Sequence, residues 1–408
     1  MTSINLIIEI HKPVMLRKYS IFEIGENHNY FDKSKTKEII KSNIEKSFLP
    51  LGEILLSKVN NSDFKFSFSV SGITLELFEK YAPEAIEILK KLSDTGKVNF
   101  IGETYHNSYA SNYSSKEFIE QLNMHKEKIK NLFGKDTEIF KNTDYIYDNK
   151  IAKEIEKLGF KAIITEGIDR LYQHEPNYVY KAKDCDNVKV LMKNINFSDD
   201  IQIKFSDKGW NQWPLTTKEF CSWLNQSQNN SDIINIVLDN ETFGIFNQKE
   251  SGIFDFLSHL PDEFLKNPNN RFINNIDEIN TLPIKNELDI DKPIAFLEKE
   301  NEFSVITNKM QESAITDLFK IENKVKSTFD KDIINNWRML SVSDHIHFMC
   351  TKRYNIGDKI TYFNPYDTPY EGLIAYMNSL NDIISCTKEY ESQKNTNFKG
   401  VSEIKGLN

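Results

Sequence analysis

Over roughly its first 280 residues the chain alternates short β-type runs with longer helical patterns. Residues 4–10 (INLIIEI) are almost continuously apolar, as expected of a strand buried on both faces of a parallel sheet. Phe64, Phe66, Phe68 and Val70 alternate with polar residues in a second strand. Residues 98–103, 138–141, 161–165, 188–192 and 233–238 supply five more. Helical patterns occupy 35–56, 74–92, 114–133, 149–158 and 216–226. A strand followed by a helix at this spacing requires right-handed crossovers and a parallel sheet, and seven strands suit a distorted (β/α)7 barrel. The barrel is predicted over 1–284. A Pro- and charge-rich linker at 285–299 ends the alternation, and 309–329, 333–354 and 370–385 then read as helices. The fold class is therefore α/β, a distorted parallel barrel followed by a C-terminal helical bundle. The bundle is expected over 300–388, packed on the barrel, with a mobile polar tail at 389–408.

Composition narrows the function classes. The 408 residues carry 51 Lys and Arg against 60 Asp and Glu, a net charge of -9, with no long basic run to track a phosphate backbone. Nucleic acid is excluded as a partner. No run of about 18 apolar residues occurs, so no membrane span is expected. Cys185, Cys221, Cys350 and Cys386 lie far apart without a C-x-x-C pair, which implies reduced thiols. The N-terminus lacks a basic stretch followed by an apolar one, and a cytoplasmic location is expected.

In a parallel barrel the loops at the C-terminal ends of the strands converge on one mouth. His11 follows the first strand, Glu103 and His106 the third, Asp144 the fourth, Glu166 the fifth, and Asp239 with Glu241 the seventh. An acid in such a place often only caps the next helix, as Asp148 is expected to do for the helix at Asn149. Five strand ends bearing carboxylates or imidazoles point instead to a site. Two carboxylates facing across a mouth are what glycosidic cleavage needs, one to protonate the leaving oxygen and one to attack or activate water. Trp210 and Trp213 lie in a loop with Gly and Pro, where an exposed indole suits a sugar ring; Trp223 lies in a helix and reads as core. Glu241 either raises Asp239 through like charge or bonds a backbone turn. A metal-dependent deacetylase would need a different donor set, because His345 and His347 are two apart on a helix and point to different faces.

Several motifs resemble those of family-57 glycoside hydrolases, most closely the α-amylase type. They are His11-Lys12-Pro13, GETYHNSYA at 102–110, FKNTDYIYDNKIAKEIEKLGFKAIITEG at 140–167, IVLDNETFGIF at 236–246, WRMLSVSDHIHFMCTK at 337–352 and YFNPYDTPYEGLIAYMN at 362–378. The resemblance covers nearly the whole chain in order. It implies a (β/α)7 barrel with a helical bundle acting on α-glucan or maltooligosaccharide with retention and without metal or organic cofactor. Its nucleophile falls on Asp144 and its general acid/base on Asp239. His11, Glu103, His106, Trp210, Trp213, Glu241, Asp344 and His345 are the remaining candidates for the sugar site.

The chain departs from the family pattern at Asp144, where N-T-D replaces N-T-E and retracts the carboxylate by about an ångström, a misplacement that can cost roughly 100-fold. It also has Lys12 for Gln, Asn107 for His and Gly244-Ile245-Phe246 for Gly-Glu-His. The excess of Asn and Lys in the composition matches the Lys12 and Asn107 changes, each reachable by one C-to-A codon change. Two readings compete: a retaining hydrolase or transferase using Asp144 and Asp239, or an amylase-like protein that binds α-glucan or a protein partner without turnover.

Overall fold

The computed structural model describes residues 2–167, 174–227, 231–295, 305–351 and 364–404, with side chains through 390. Residues 296–299 of the expected linker, 352–354 of the second expected bundle helix, 362–363 of the last motif and 405–408 of the tail lie outside the described residues. The chain divides into two compact units. One comprises Met1–Lys12, Lys37–Asn107 and Lys116–Val305, the other Pro13–Thr36, Ser108–Ser115 and Ile306–Asn408.

The first unit is the barrel. Its seven strands are Thr2–Ile10, Phe66–Val70, Val98–Ile101, Ile139–Lys141, Ala162–Thr165, Lys189–Met192 and Ile234–Asp239. The first pairs in parallel with the second (Ile7 opposite Ser67) and with the seventh (Ile4 opposite Ile234, Glu9 opposite Asp239). The second pairs with the third, the fourth with the fifth and the fifth with the sixth, all in parallel. Single parallel bridges, Gly102 to Phe140 and Lys193 to Asn235, join the two sheets at both seams and complete the cyclic order. A backbone hydrogen bond of 2.8 Å supports each seam, Gly102 N to Ile139 O and Asn194 N to Asn235 O. Short strands flank the ring: Val179–Ala182 runs antiparallel to the sixth strand, Ile284–Leu288 pairs with Val179–Ala182, and Asn270–Phe272 adds to the start of the first. Ile284–Leu288 thus places regular structure at the start of the segment expected to be a linker.

Local chemistry explains the helices. Asp148 accepts from Ile151 N at 2.8 Å and starts Asn149–Lys157, as its position predicts. Thr216 and Glu219 form a capping box for Thr217–Gln226. Pro83 cannot donate to the preceding turn and divides the 74–92 pattern into Gly72–Tyr81 and Pro83–Asp94. The long 35–56 pattern is helical throughout, as Lys33–Asn43, a π-turn at Ile44–Phe48, and Leu49–Asn61.

The second unit is helical: Lys309–Lys320, Glu322–Ser327, Lys331–Leu340, Ser343–His347 and Pro369–Ile404. Trp337 is its buried anchor, with Nε1 donating to Leu318 O at 2.9 Å. The single helix expected over 333–354 breaks after Leu340, where Val342 leaves the helix and bridges to Ser108. The last helix runs to Ile404, so the backbone expected to be a mobile tail is helical through that residue. Among the described residues no helix is long and apolar enough to cross a membrane.

Candidate active site

Side chains of a strand alternate faces, so the inner layer of a barrel can be followed two residues at a time. Ile7, Ile101, Ile139, Ile164, Leu191 and Val237 belong to one buried apolar cluster in the barrel. Two residues further toward the C-terminal ends, the same face carries Glu9, Glu103, Lys141, Glu166, Lys193 and Asp239. A charged layer therefore lies directly on an apolar one.

Five of its members are paired across strands. Lys141 Nζ donates to Glu9 and lies 3.9 Å from Glu103 Oε2. Tyr145 Oη donates to Glu9 Oε2 at 2.6 Å, and Ser69 Oγ donates to Glu103 Oε1 at 2.8 Å. Lys193 Nζ lies 3.8 Å from Glu166 Oε2. The two ammonium groups flank one aromatic ring, 5.4 Å (Lys141) and 5.2 Å (Lys193) from the Tyr145 centroid.

Burial alone would raise the Glu9 carboxyl, but the Lys141 charge and the hydrogen bonds from Lys141 and Tyr145 outweigh it and hold Glu9 below its ordinary range. Glu103 and Glu166 are raised, in both cases chiefly by burial. For Lys193 burial acts to lower the ammonium, yet the surrounding carboxylates, Glu166 foremost, raise it.

Asp144 sits on the tight Thr143–Tyr145 turn with φ of 51°. Tyr145 is also left-handed, at 58°. Asp accepts this region more readily than most residues, and a strained turn of this kind is characteristic of functional loops. Asn142 pins the turn, its Oδ1 accepting from Thr143 N at 3.0 Å and its Nδ2 donating to Ile146 O at 3.1 Å. Lys141 is within electrostatic reach of Asp144. Asp239 ends the seventh strand, where one amide clamps it twice: Gln202 Nε2 donates to Asp239 Oδ2 at 2.8 Å and Gln202 Oε1 accepts from Asp239 N at 2.9 Å.

His11 Nδ1 is 2.7 Å from Ser71 Oγ, which is 2.7 Å from Thr74 Oγ1. Lys12, a departure from the family pattern, is fully buried and built into the fold. Its Nζ donates to Glu241, to Asn240 Oδ1 at 2.9 Å and to His11 O at 2.8 Å. Glu241 also accepts from Asn43 Nδ2 at 3.2 Å. The turn at Asn240–Thr242 takes Glu241 off the strand path, and its carboxylate pairs with the Lys12 side chain.

His106 is buried, its N donating to Gln121 Oε1 at 3.1 Å, with its ring 5.0 Å from that of Tyr105. Trp210 is half-buried against Trp223, with centroids 6.2 Å apart, and Trp223 is itself only partly buried. Trp213 is 42% exposed. Asp344 and His345 belong to the second unit, on Ser343–His347. Among the described residues the one group of three donors suited to a metal, His28, Asp382 and Cys386, is also in the second unit.

Glu9, Lys141 and Lys193 are functional candidates that inspection of strand ends passes over. The period-two rule, extended from Ile7, Ile139 and Leu191, finds all three.

The sequence profile described as Glycosyl hydrolase family 57 matches residues 5–291. A protein of Methanocaldococcus jannaschii named "Putative alpha-amylase" is 33% identical over 399 residues, covering 93% of this chain and 84% of its own length. The fold is shared at low identity with solved structures. A GH57-type branching enzyme from Pyrococcus horikoshii superposes with a TM-score of 0.65 at 12% identity, over 89% of this chain and 87% of that one. A 4-alpha-glucanotransferase from Thermococcus litoralis gives 0.64 at 13% identity over 85% of this chain; the chain spans only 56% of that enzyme's length. With a profile match over most of its length and a relative one-third identical along nearly all of it, the chain belongs to glycosyl hydrolase family 57.

Proposed function

We propose that the protein is an α-glucan-acting glycoside hydrolase of the α-amylase type that works with retention. Asp144 attacks the anomeric carbon while Asp239 donates a proton to the leaving oxygen. Asp239 then takes a proton from water, or from a sugar acceptor, as the glycosyl-Asp144 ester is broken. The observation that carries this reading is a charged layer that includes Asp239, clamped by Gln202, with Asp144 on a turn pinned by Asn142 within electrostatic reach of the layer's Lys141. His11, Glu103 and His106 are assigned to sugar binding from the barrel, with Trp210 and Trp213 offering ring faces. Asp344 and His345 are assigned to it on the strength of the resemblance alone. Glu241 acts as a positioning residue through Lys12. The four cysteines lie far apart in the sequence without a C-x-x-C pair, which supports a reducing, cytoplasmic location.

A specific observation favours the second reading, binding without turnover: the nucleophile position carries the shorter acid, and Ile245 and Phe246 are only half-buried where the family places polar residues. The test is product formation from maltooligosaccharides, soluble starch and a nitrophenyl maltoside by the wild type, Asp144→Glu and Asp239→Asn, with the anomer of the first product read by NMR. Turnover with a retained anomer, abolished in Asp239→Asn, is the expected result. A silent wild type with activity gained in Asp144→Glu identifies a disabled site. Silence in all three with glucan binding intact supports the second reading.

A further inference from the structure

The helical unit holds a second group of convergent donors, far in sequence from the barrel carboxylates. We infer that His28, Asp382 and Cys386 form a binding site for a divalent transition-metal ion of the Zn2+ type.

Asp382 and Cys386 stand one helical turn apart on Pro369–Ile404, on the same face. His28 comes from the segment Pro13–Thr36 of the same unit. One ligand atom of each residue lies within 4.8 Å of the others. His28 Nδ1 is 2.7 Å from Asp382 Oδ2, and Cys386 Sγ is 3.5 Å from that same nitrogen. The shared nitrogen separates this arrangement from a Cys-His-Asp nucleophile. Such a triad needs the carboxylate on one ring nitrogen and the thiol on the other, so that a proton can cross the ring. Here both lie beside the same Nδ1, so that the three donor atoms form one compact cluster able to share an ion.

The donor types fit. Imidazole, carboxylate and thiolate are the ligand set of Zn2+, with bonds of about 2.0–2.3 Å. A tetrahedron of such bonds puts neighbouring donors roughly 3.3–3.7 Å apart. The thiol-to-imidazole distance already matches, and the imidazole-to-carboxylate distance must open by about half an ångström. Asp382 is held from behind: its Oδ1 accepts from Gly25 N at 2.6 Å and its Oδ2 from Tyr30 Oη at 2.5 Å. Its side chain is fully buried, whereas the His28 side chain is 53% exposed and gives an ion a way in. His28, Tyr30 and Cys386 line a cavity of about 500 Å3 whose wall also carries Asp330, Asp332 and Glu389. That negative wall draws a cation, and the cavity leaves a fourth coordination position for water.

On binding, the Cys386 thiol gives up its proton to solvent as the sulfur–metal bond forms; the proton that His28 Nδ1 donates to Asp382 also passes to solvent, and the neutral ring keeps its one proton on Nε2. No oxidation step is involved. The ion would cross-link the Pro13–Thr36 segment to the last helix.

The test uses the full chain, stripped with a chelator and dialysed. Co2+ is titrated as a spectroscopic probe, and Zn2+ is then added to displace it. A near-ultraviolet thiolate-to-cobalt band that saturates at one equivalent and is bleached by Zn2+ is expected. It is absent in Cys386→Ser, and His28→Ala weakens Zn2+ by at least about tenfold. Both substitutions spare the buried Asp382, and far-ultraviolet circular dichroism checks their folding. No band in the wild type, or binding unchanged in His28→Ala and Cys386→Ser, overturns the assignment and leaves Asp382 as a hydrogen-bonding hub only.

Discussion

Replacing Lys12 with methionine tests whether the barrel depends on a buried ion pair. The Lys12 side chain has no solvent exposure and that of Glu241 has 8%. Removing one partner of a buried pair commonly costs about 3–5 kcal/mol, because the other charge stays behind without compensation. Here Glu241 would keep its bond from Asn43 Nδ2 at 3.2 Å, which offsets part of the loss. The expected cost of Lys12→Met is therefore at the lower end, about 3 kcal/mol. In Glu241→Gln the ammonium keeps Asn240 Oδ1 and His11 O as acceptors, so about 2 kcal/mol is expected. The double variant Lys12→Met with Glu241→Gln buries no unpaired charge. It should fall short of the sum of the singles by roughly 1.5–2 kcal/mol. Urea unfolding followed by tryptophan fluorescence measures this, since Trp210, Trp213 and Trp223 all lie in the barrel unit. Additive single effects, within about 0.5 kcal/mol, would refute the idea that the pair acts as a unit. So would a cost of Lys12→Met below about 1 kcal/mol.

Other consequences are as definite. Gln202→Ala removes both bonds that orient Asp239, so kcat should fall about 10- to 100-fold with KM nearly constant; a change confined to KM would place Gln202 in substrate binding instead. Glu9 titrates below its ordinary value of 4.5, so its contribution to stability is present above that pH and lost as pH falls through the lower folded value. Glu9→Gln should accordingly lower the urea midpoint at pH 7, with the gap to wild type closing in acid. A gap that widens on acidification would reverse the sign assigned to Glu9. Trp213→Ala, at a 42% exposed position, should change stability by no more than about 0.5 kcal/mol while raising KM for longer maltooligosaccharides. Lost stability with an unchanged KM would make Trp213 a packing residue.

The seven barrel strands are legible in the sequence because a both-sides-buried parallel strand leaves a nearly continuous apolar run, as in residues 4–10. The Asp148 cap is legible because its bond spans three residues. Glu9, Lys141 and Lys193 escape when attention goes to the loop after each strand, since they lie within or directly at the ends of the strands and face inward. The Lys12–Glu241 pair joins residues 229 apart in the chain, and no local pattern announces it. The break after Leu340 is hidden for a different reason: neither Gly nor Pro marks it, and the interruption comes with the bridge from Val342 to Ser108. The second unit's claim on Pro13–Thr36 rests on distant partners such as Tyr366, whose hydroxyl donates to Leu16 O at 3.2 Å.

That claim bears on the order in which the protein is made. A ribosome makes residues 13–36 well before residues 306–404, yet both belong to the same unit. Tyr19, Tyr30 and Phe31, all buried in the finished molecule, must wait for Tyr366, Asn378 and Asp382 to emerge before their shelter exists. During that interval the barrel sequence is synthesised in full while an aromatic loop near its start remains uncovered. Stopping translation near residue 305 would therefore leave Tyr19 and Tyr30 without Asn378 and Asp382, and a gene fragment encoding 306–408 alone would lack two of the three pieces from which its unit is assembled.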